Sequence, residues 1–106
     1  MPLDVQKFLK EAMEEARQEF ERRRSLHEEF RRTEVSCQSP DHSIEVVQTC
    51  SGEIRSIRIA PGTFERYDEA SFGRLLETTL RSATDAVLWA RRTLIEDRKA
   101  AAHDRG

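Results

Sequence analysis

The fold is decided by residues 43–61, which read SIEVVQTCSGEIRSIRIAP. Apolar and polar residues alternate in both halves of this stretch, as at Ile57 and Ile59, and this is the period of a strand with one apolar face. Gly52 lies between the halves and fits a tight hairpin turn, because glycine accepts the positive φ that such turns require. Pro61 ends the second run. The stretch predicts a strand, a turn, a second strand and a stop.

A further strand precedes this hairpin. Residues 34–39 read EVSCQS and are followed by a turn at Pro40-Asp41. Residues 33–61 are therefore predicted to form a three-stranded antiparallel meander. Three strands with one apolar face are not stable alone and must be covered by helices. Helical patterns flank the meander on both sides, so the predicted fold class is α+β, in the order long helix, meander, long helix.

The first helix is predicted over residues 1–32, with Asp4 as its N-cap. Its seam recurs at alternating steps of four and three, which is typical of a helix that packs on another helix. Arg23 and His27 interrupt the apolar character of the seam. Either they reach past it to solvent, or they form a polar pair that sets the helix register. The seam residues are Leu9, Met13, Ala16, Phe20, Arg23, His27 and Phe30.

The second helix is predicted from about Asp68 to Lys99, within a loop-and-helix segment of residues 62–100, and residues 101–106 are predicted to be a disordered tail. Four apolar residues fall outside its main face, and a helix with this much apolar surface has more to bury than one neighbour covers. A second copy of the chain is the simplest cover, with Leu88, Trp89 and Ile95 at the dimer interface. The main face contains Phe72, Leu76, Leu80, Ala83, Val87, Ala90 and Leu94, and Leu75 lies outside it with the three interface residues.

Helix and strand lengths predict the shape of the dimer. A helix of about 28 residues spans roughly 42 Å, whereas a six-residue strand spans about 20 Å. The free helix ends, near Lys7 and Lys99, are expected to lie side by side and to overhang the sheet. A symmetric dimer would then have a compact centre and two projecting arms.

Composition limits the classes of function. The 106 residues form one domain, with 18 Lys+Arg against 20 Asp+Glu, so the net charge of −2 gives no general attraction for nucleic acid or acidic lipid. No stretch is apolar enough to cross a membrane, and residues 1–7 lack the apolar core of a signal peptide, so the expectation is a soluble cytoplasmic protein. With Cys37 expected across from roughly Glu45, a disulfide to Cys50 is not expected. The scattered histidines indicate neither a metal site nor a cofactor.

Several features of the middle and end of the chain occur together in one known family. They are the extended segment Glu34-Val35-Ser36, the strand Ile44-Glu45-Val46, the turn at Gly52-Glu53, the pattern Ile54-x-x-Ile57-x-Ile59-x-Pro61, and a terminal helix containing Asp85-Ala86. In these the chain resembles the YbaB/EbfC family of bacterial nucleoid-associated proteins, over about Thr33 to Arg92.

The sequence departs from the family pattern in turns and at edges. A Gly-rich linker is replaced by residues 37–42, Asn-Gly before the turn by Thr49-Cys50, Asp before the proline by Ala60, and Asn in the last helix by Thr84. These positions leave the fold intact, so they indicate a divergent branch.

The resemblance implies a tweezer-like α/β homodimer in the nucleoid that binds DNA with its projecting helices. Basic residues at the overhanging ends would then pair with phosphates and release counterions. Arg22-Arg23-Arg24 and Arg31-Arg32 are denser, but they lie nearer the sheet, where they could flank the dimer core. The candidate DNA contacts are Lys7, Lys10 and Arg17 on helix one, with Arg91, Arg92, Arg98 and Lys99 on helix two.

Two other classes of function are alternatives to DNA binding. Acidic residues are interleaved with the candidate contacts, as in the pair Lys7/Glu11, and could leave these charges simply solvated. The alternative is a protein–protein interaction module that kept the dimer fold and lost DNA binding, using the strip around Trp89. An enzyme is not expected, because Asp68-Glu69 fits a helix N-terminus better than acid–base chemistry.

Overall fold

A computed structural model describes residues 4–104 and confirms the α+β class with a helix, a meander and a second long helix in the predicted order. The sheet is antiparallel with strand order β1-β2-β3. One short helix, α2, was not predicted. Within the described residues, neither long helix carries a segment apolar enough to span a bilayer. The elements are α1 (Val5–Arg32), β1 (Glu34–Gln38), β2 (Ile44–Thr49), β3 (Ile54–Ile59), α2 (Thr63–Arg66) and α3 (Glu69–Asp104).

Helix α1 begins and ends at capping residues. The Asp4 carboxylate accepts a hydrogen bond from the Lys7 N–H at 3.1 Å, which satisfies one of the orphan donors of the first turn. At the other end, the Thr33 hydroxyl donates to the Glu29 carbonyl at 2.8 Å. Between these caps, no residue of α1 is buried.

The seam of α1 meets no helix within the chain along most of its length. Met13 is 71 % exposed and Phe20 is 65 % exposed, so the predicted packing on another helix is absent from the single chain over residues 5–20. Arg23 and His27 are both exposed, and the Arg23 guanidinium lies 3.2 Å from the Glu19 carboxylate. The structure thus favours solvent-directed side chains over a polar pair that sets helix register.

The strand register differs from expectation by one residue at the first hairpin. Cys37 lies opposite Val46, not Glu45. It remains far along the sheet from Cys50, and both cysteines are free, as expected from the sequence.

The second hairpin contains a β-bulge between Val47 and Gln48 that places Ile54 opposite Gln48. Val47 still pairs with Ser56, so Arg55 is the extra residue on β3. A bulge of this kind bends the strand and redirects a side chain. Gly52, with φ of 93°, lies in the turn that connects the two strands.

Helix α3 covers one face of β1 and β2 but leaves β3 largely open. Ile44, Val46 and Ala83 form the buried cluster. Ile57 lies opposite Val46 on the same face, yet it is 42 % exposed. The second helix therefore covers less of the sheet than three apolar strands require. Partly buried residues that pack against the cluster are Cys37, Phe72, Leu75, Leu76 and Leu80.

The long helices run in opposite directions, and their free ends are not level. Helix α3 is longer than predicted and ends at Asp104, so residues 101–104 are helical instead of a disordered tail, while residues 105–106 lie outside the described part. Ala101 and Ala102 share a surface groove with Glu19 and Arg22. Since α1 continues to Val5, it extends about 20 Å beyond the end of α3. The prediction that Lys7 and Lys99 lie side by side was wrong.

Candidate nucleic-acid interface

The N-terminal half of α1 projects from the molecule as a single helix. A shallow groove here is lined by residues of α1 alone, including Lys10 and Met13. The chain is 81 Å long but only 26 by 17 Å in its other dimensions. A solvated helix of this kind can be approached from several sides by a large ligand. Residues 5–18 are hereafter called the arm.

The arm contains three of the predicted DNA contacts, and their surroundings differ. Lys7 and Lys10 are exposed. Arg17 is also exposed, but its guanidinium lies 2.6 Å from the Glu14 carboxylate. A hydrogen bond from Arg17 and its charge together lower the pKa of Glu14. The charge of Arg17 is thus already balanced locally, which leaves Lys7 and Lys10 as the cations of the arm with the least competition.

Arg98 of α3 links the two long helices. Its guanidinium lies 2.6 Å from the Glu29 carboxylate and donates a second hydrogen bond to the Ser25 hydroxyl at 3.2 Å. Both partners of the ion pair are partly shielded from water. Arg98 therefore holds α3 against the C-terminal half of α1, at the base of the arm.

Arg91 has a similar structural position at the end of the sheet. Its Nε donates a hydrogen bond to the Cys50 carbonyl, and its guanidinium carbon lies 5.5 Å from the centre of the Phe30 ring. This separation is within the range of a cation–π contact. One side chain thus connects α3, the hairpin turn after β2 and the end of α1. Its neighbour Arg92 is exposed, as is Lys99.

The predicted dimer-interface residues are also found in different environments. Leu88 is 53 % exposed and Trp89 is 68 % exposed. Ile95 is half-buried and lines the groove between α1 and α3 together with Leu26. Leu88 and Trp89 remain apolar surface without cover in the single chain, whereas Ile95 is partly covered by α1.

An additional apolar surface lies on β3 and was not predicted from the sequence. Ile54, Ile57 and Ile59 are each between 39 and 48 % exposed. Their alternation predicted an apolar face, but the pattern could not show that α3 reaches only β1 and β2. Next to this face, the buried side-chain oxygen of Gln48 has no hydrogen-bond donor within residues 4–104. Buried polar atoms normally have a partner, so Gln48 is an exception among the described residues.

The described residues contain no group of three His, Cys, Asp or Glu side chains placed to hold a metal ion. The chemistry that the surface offers is that of separated cations on a long helix, together with apolar patches on a sheet edge and on α3. Such a surface binds by charge and shape. These features define the class: a small α+β protein with a projecting helical arm that carries exposed lysines.

Comparison with known proteins identifies the family. The model of the YbaB/EbfC DNA-binding family matches residues 4–96, which is most of the chain. The chain therefore belongs to the YbaB/EbfC DNA-binding family. A comparison with curated protein sequences found no match.

A solved structure shares the fold. It is the crystal structure of the uncharacterized protein HP0035 from Helicobacter pylori, with a TM-score of 0.64 and 21 % sequence identity. The match covers 92 % of this chain and 98 % of the other. At this identity the likeness concerns the fold alone, and it includes both long helices and the sheet.

Proposed function

We propose that this chain is a homodimeric, nucleoid-associated DNA-binding protein that contacts the phosphate backbone through its projecting helices. The observation that carries the proposal is the match to a DNA-binding family over residues 4–96. Since its net charge is −2, binding must come from local placement of cations. The protein acts in the cytoplasm, by binding and without catalysis, and uses no cofactor.

The arm supports this proposal through its exposed lysines. Lys7 and Lys10 form no ion pair with any side chain that the structure describes. A lysine in this state can exchange its counterions for a phosphate at little cost, whereas Arg17 must first leave Glu14. We therefore rank Lys7 and Lys10 first among the proposed contacts, followed by the exposed Arg92 and Lys99. Arg91 and Arg98 rank last, because each contributes to intramolecular contacts.

The homodimer is supported by the apolar surface that one subunit leaves open. Ile57 and its neighbours on β3 belong to the face that α3 covers elsewhere. Ile57 is 42 % exposed, so burying the rest of its side chain stabilises a complex by roughly 1 kcal/mol. A second copy presents the same surface, and a two-fold axis can join the two. We propose that Ile54, Ile57 and Ile59 of β3 form this interface together with Leu88 and Trp89, with Ile95 at its edge.

The proposal is tested by fluorescence anisotropy of a labelled duplex at low salt. The wild-type protein should bind the duplex. The double variant Lys7→Gln with Lys10→Gln should weaken the binding for every DNA sequence tested, because contacts to phosphates do not depend on the bases. Gln18→Ala is the control on the same arm, because it leaves the charge unchanged. If the wild-type protein does not bind at low salt, the proposal is wrong.

A second candidate function follows from the exposure of Trp89 and from the near balance of charge. In this case the protein is an interaction module that kept the fold and lost DNA binding, and the strip around Leu88 and Trp89 holds another protein. An exposed strip of this kind marks an interaction site. Leu88 and Trp89 would then stay exposed in the purified dimer, and Trp89 fluorescence would show a solvated indole. A blue-shifted Trp89 emission in the dimer would argue against this candidate.

A further inference from the structure

A second group of cations lies at the opposite end of α1 from the lysines of the arm. The bulge in β3 directs Arg55 toward the end of α1, where its guanidinium donates a hydrogen bond to the Arg31 carbonyl at 3.4 Å. Arg31, Arg32 and Arg55 line an open depression together with Glu28. Three arginines from two elements therefore line one patch of surface, hereafter called the arginine cluster.

The arginines of this cluster are only loosely paired. Arg32 lies 3.9 Å from Glu28, and Arg55 lies 3.9 Å from Glu53, both beyond hydrogen-bond distance. Arg31 forms no ion pair with the side chains that the structure describes. Glu28 also has another partner, because its second carboxylate oxygen lies 3.4 Å from Arg24. A phosphate could therefore replace Glu28 at Arg32 without leaving that carboxylate unpaired.

Several other arginines on the helices form closer ion pairs. Arg17 and Arg98 each lie 2.6 Å from a carboxylate, and Arg81 lies 2.7 Å from Glu77. Close pairs of this kind satisfy the guanidinium fork. In the cluster, the Arg32 Nε donates a hydrogen bond to the Glu28 carbonyl at 3.4 Å. The remaining N–H groups of the cluster are available for the planar, two-point contact that arginine makes with phosphate.

The spacing along α1 relates the cluster to the lysines of the arm. With a rise of 1.5 Å per residue, Lys7 and Lys10 lie roughly 32 to 38 Å from Arg31 and Arg32 along the helix axis. With 3.6 residues per turn, Lys7 and Arg32 point in directions about 20° apart. One turn of duplex DNA rises about 34–36 Å. A duplex that lies along α1 would therefore present phosphates of the same strand at both ends of one helix face.

We propose that the arginine cluster is a second phosphate-binding site, which holds the same duplex as Lys7 and Lys10 at a distance of one helical turn. The inference rests on the proposed DNA binding and specifies its footprint. The apolar seam of α1 lies on the other side of the helix and does not meet the duplex. Of the carboxylates between the two sites, Glu14 is paired with Arg17. Glu11 and Glu21 form no ion pair within residues 4–104, so the cations at the two ends must outweigh their repulsion of the duplex.

The alternative role for these arginines is structural. Basic residues in the last turn of a helix interact favourably with the helix dipole. Arg55 also donates a hydrogen bond to the carbonyl of Arg31 in that turn. A purely structural role predicts that substitutions lower the melting temperature and leave the salt dependence of DNA binding unchanged. The structural role therefore predicts a change in melting temperature alone, whereas phosphate binding predicts a change in the salt dependence.

The test is the salt dependence of duplex binding, with a duplex of about two helical turns. The slope of log Kobs against log salt is about −0.9 for each phosphate neutralised. For each arm that contacts the duplex, Arg32→Gln with Arg55→Gln should make the slope less steep by about 1 to 2. Adding Lys7→Gln and Lys10→Gln should give a further change of similar size. Arg66→Gln with Arg81→Gln removes the same charge elsewhere and should leave the slope nearly unchanged.

A second variant covers the case in which loss of Arg55 prevents folding. Arg31→Gln with Arg32→Gln changes two exposed side chains and should give the same loss of slope. If the wild-type protein binds and both cluster variants keep its slope, the cluster is not a phosphate site, while the proposed function stands. If the wild-type protein does not bind the duplex, both are wrong.

Discussion

At the scale of single residues, Arg91 and Asp41 each join parts of the chain that are far apart in sequence. Arg91 caps the Cys50 carbonyl, while the Cys50 N–H donates to the Thr33 carbonyl at 2.9 Å. Both backbone groups of Cys50 are thus satisfied by other elements. Burial raises the pKa of the Cys50 thiol, so this thiol stays protonated and is a packing residue.

We expect Arg91→Ala to destabilise the subunit by about 1–3 kcal/mol, because the Cys50 carbonyl loses its donor and the Phe30 ring loses its cation. Urea denaturation monitored by circular dichroism measures this change. The matched control is Arg92→Ala, an exposed neighbour whose loss should change stability by less than about 0.5 kcal/mol. Equal stability of the two variants would show that the Arg91 contacts are unimportant.

Asp41 holds the first hairpin turn. Its carboxylate accepts hydrogen bonds from the Ser43 hydroxyl at 2.6 Å, from the Ser39 hydroxyl at 2.9 Å and from the Tyr67 hydroxyl. The Ser43 hydroxyl lowers the pKa of Asp41 most, followed by the Tyr67 hydroxyl. Tyr67 precedes α3, so this carboxylate joins the β1–β2 turn to the start of the last helix.

This lowered pKa predicts the sign of a pH effect. A carboxyl group whose pKa is lower in the folded state adds stability above its unfolded pKa of about 3.9, and this stability is lost as the pH falls through the folded value. We expect the melting temperature of the wild-type protein to fall more steeply than that of Asp41→Asn below about pH 4. Parallel curves for the two proteins over this range would contradict the assignment.

At the scale of elements, β3 is the part of the sheet that the chain leaves uncovered. We expect Ile57→Lys to convert a dimer to a monomer, because a charge at the centre of the proposed interface would lose its hydration there. Size-exclusion chromatography with light scattering measures the mass. Thr78→Lys, at an exposed position of α3, adds the same charge and should remain dimeric. A wild-type monomer, or a dimer of Ile57→Lys, would contradict the proposed interface.

The elements themselves could be predicted because their signals are local. Asp4 caps α1 as expected, and the turn at Gly52 has the positive φ that its position requires. The bulge that leaves Arg55 without a pairing residue on β2 could not be predicted. An alternating pattern does not show where the register between two strands shifts. The extent of α3 was underestimated, because Ala100 to Ala102 continue a helix without adding a periodic apolar face.

The candidate site was harder to predict than the fold, because three of the selected arginines take part in contacts within the chain. The sequence selected Arg17, Arg91 and Arg98 by their place near helix ends. In the structure, Arg17 pairs with Glu14 and Arg98 pairs with Glu29, and Arg91 caps a carbonyl. The pairing of Arg98 joins residues 69 positions apart, and no local pattern records such a contact.

At the scale of the whole molecule, an elongated chain places the lysines of its arm far from the apolar surface of β3. The arm lies at one end of the 81 Å length, and the sheet that bears β3 lies away from it. A dimer formed through the sheets would leave both arms free. The balanced net charge then lowers non-specific attraction, and binding depends on where the cations are placed.

The most direct measurement is the affinity of the wild-type protein for duplex DNA over a series of salt concentrations. Phosphate contact by Lys7 and Lys10 on two arms predicts a slope of log Kobs against log salt of at least about −3. Lys7→Gln with Lys10→Gln should make this slope much less steep. No binding at low salt, or an affinity that does not change with salt, would contradict DNA binding through the projecting helices.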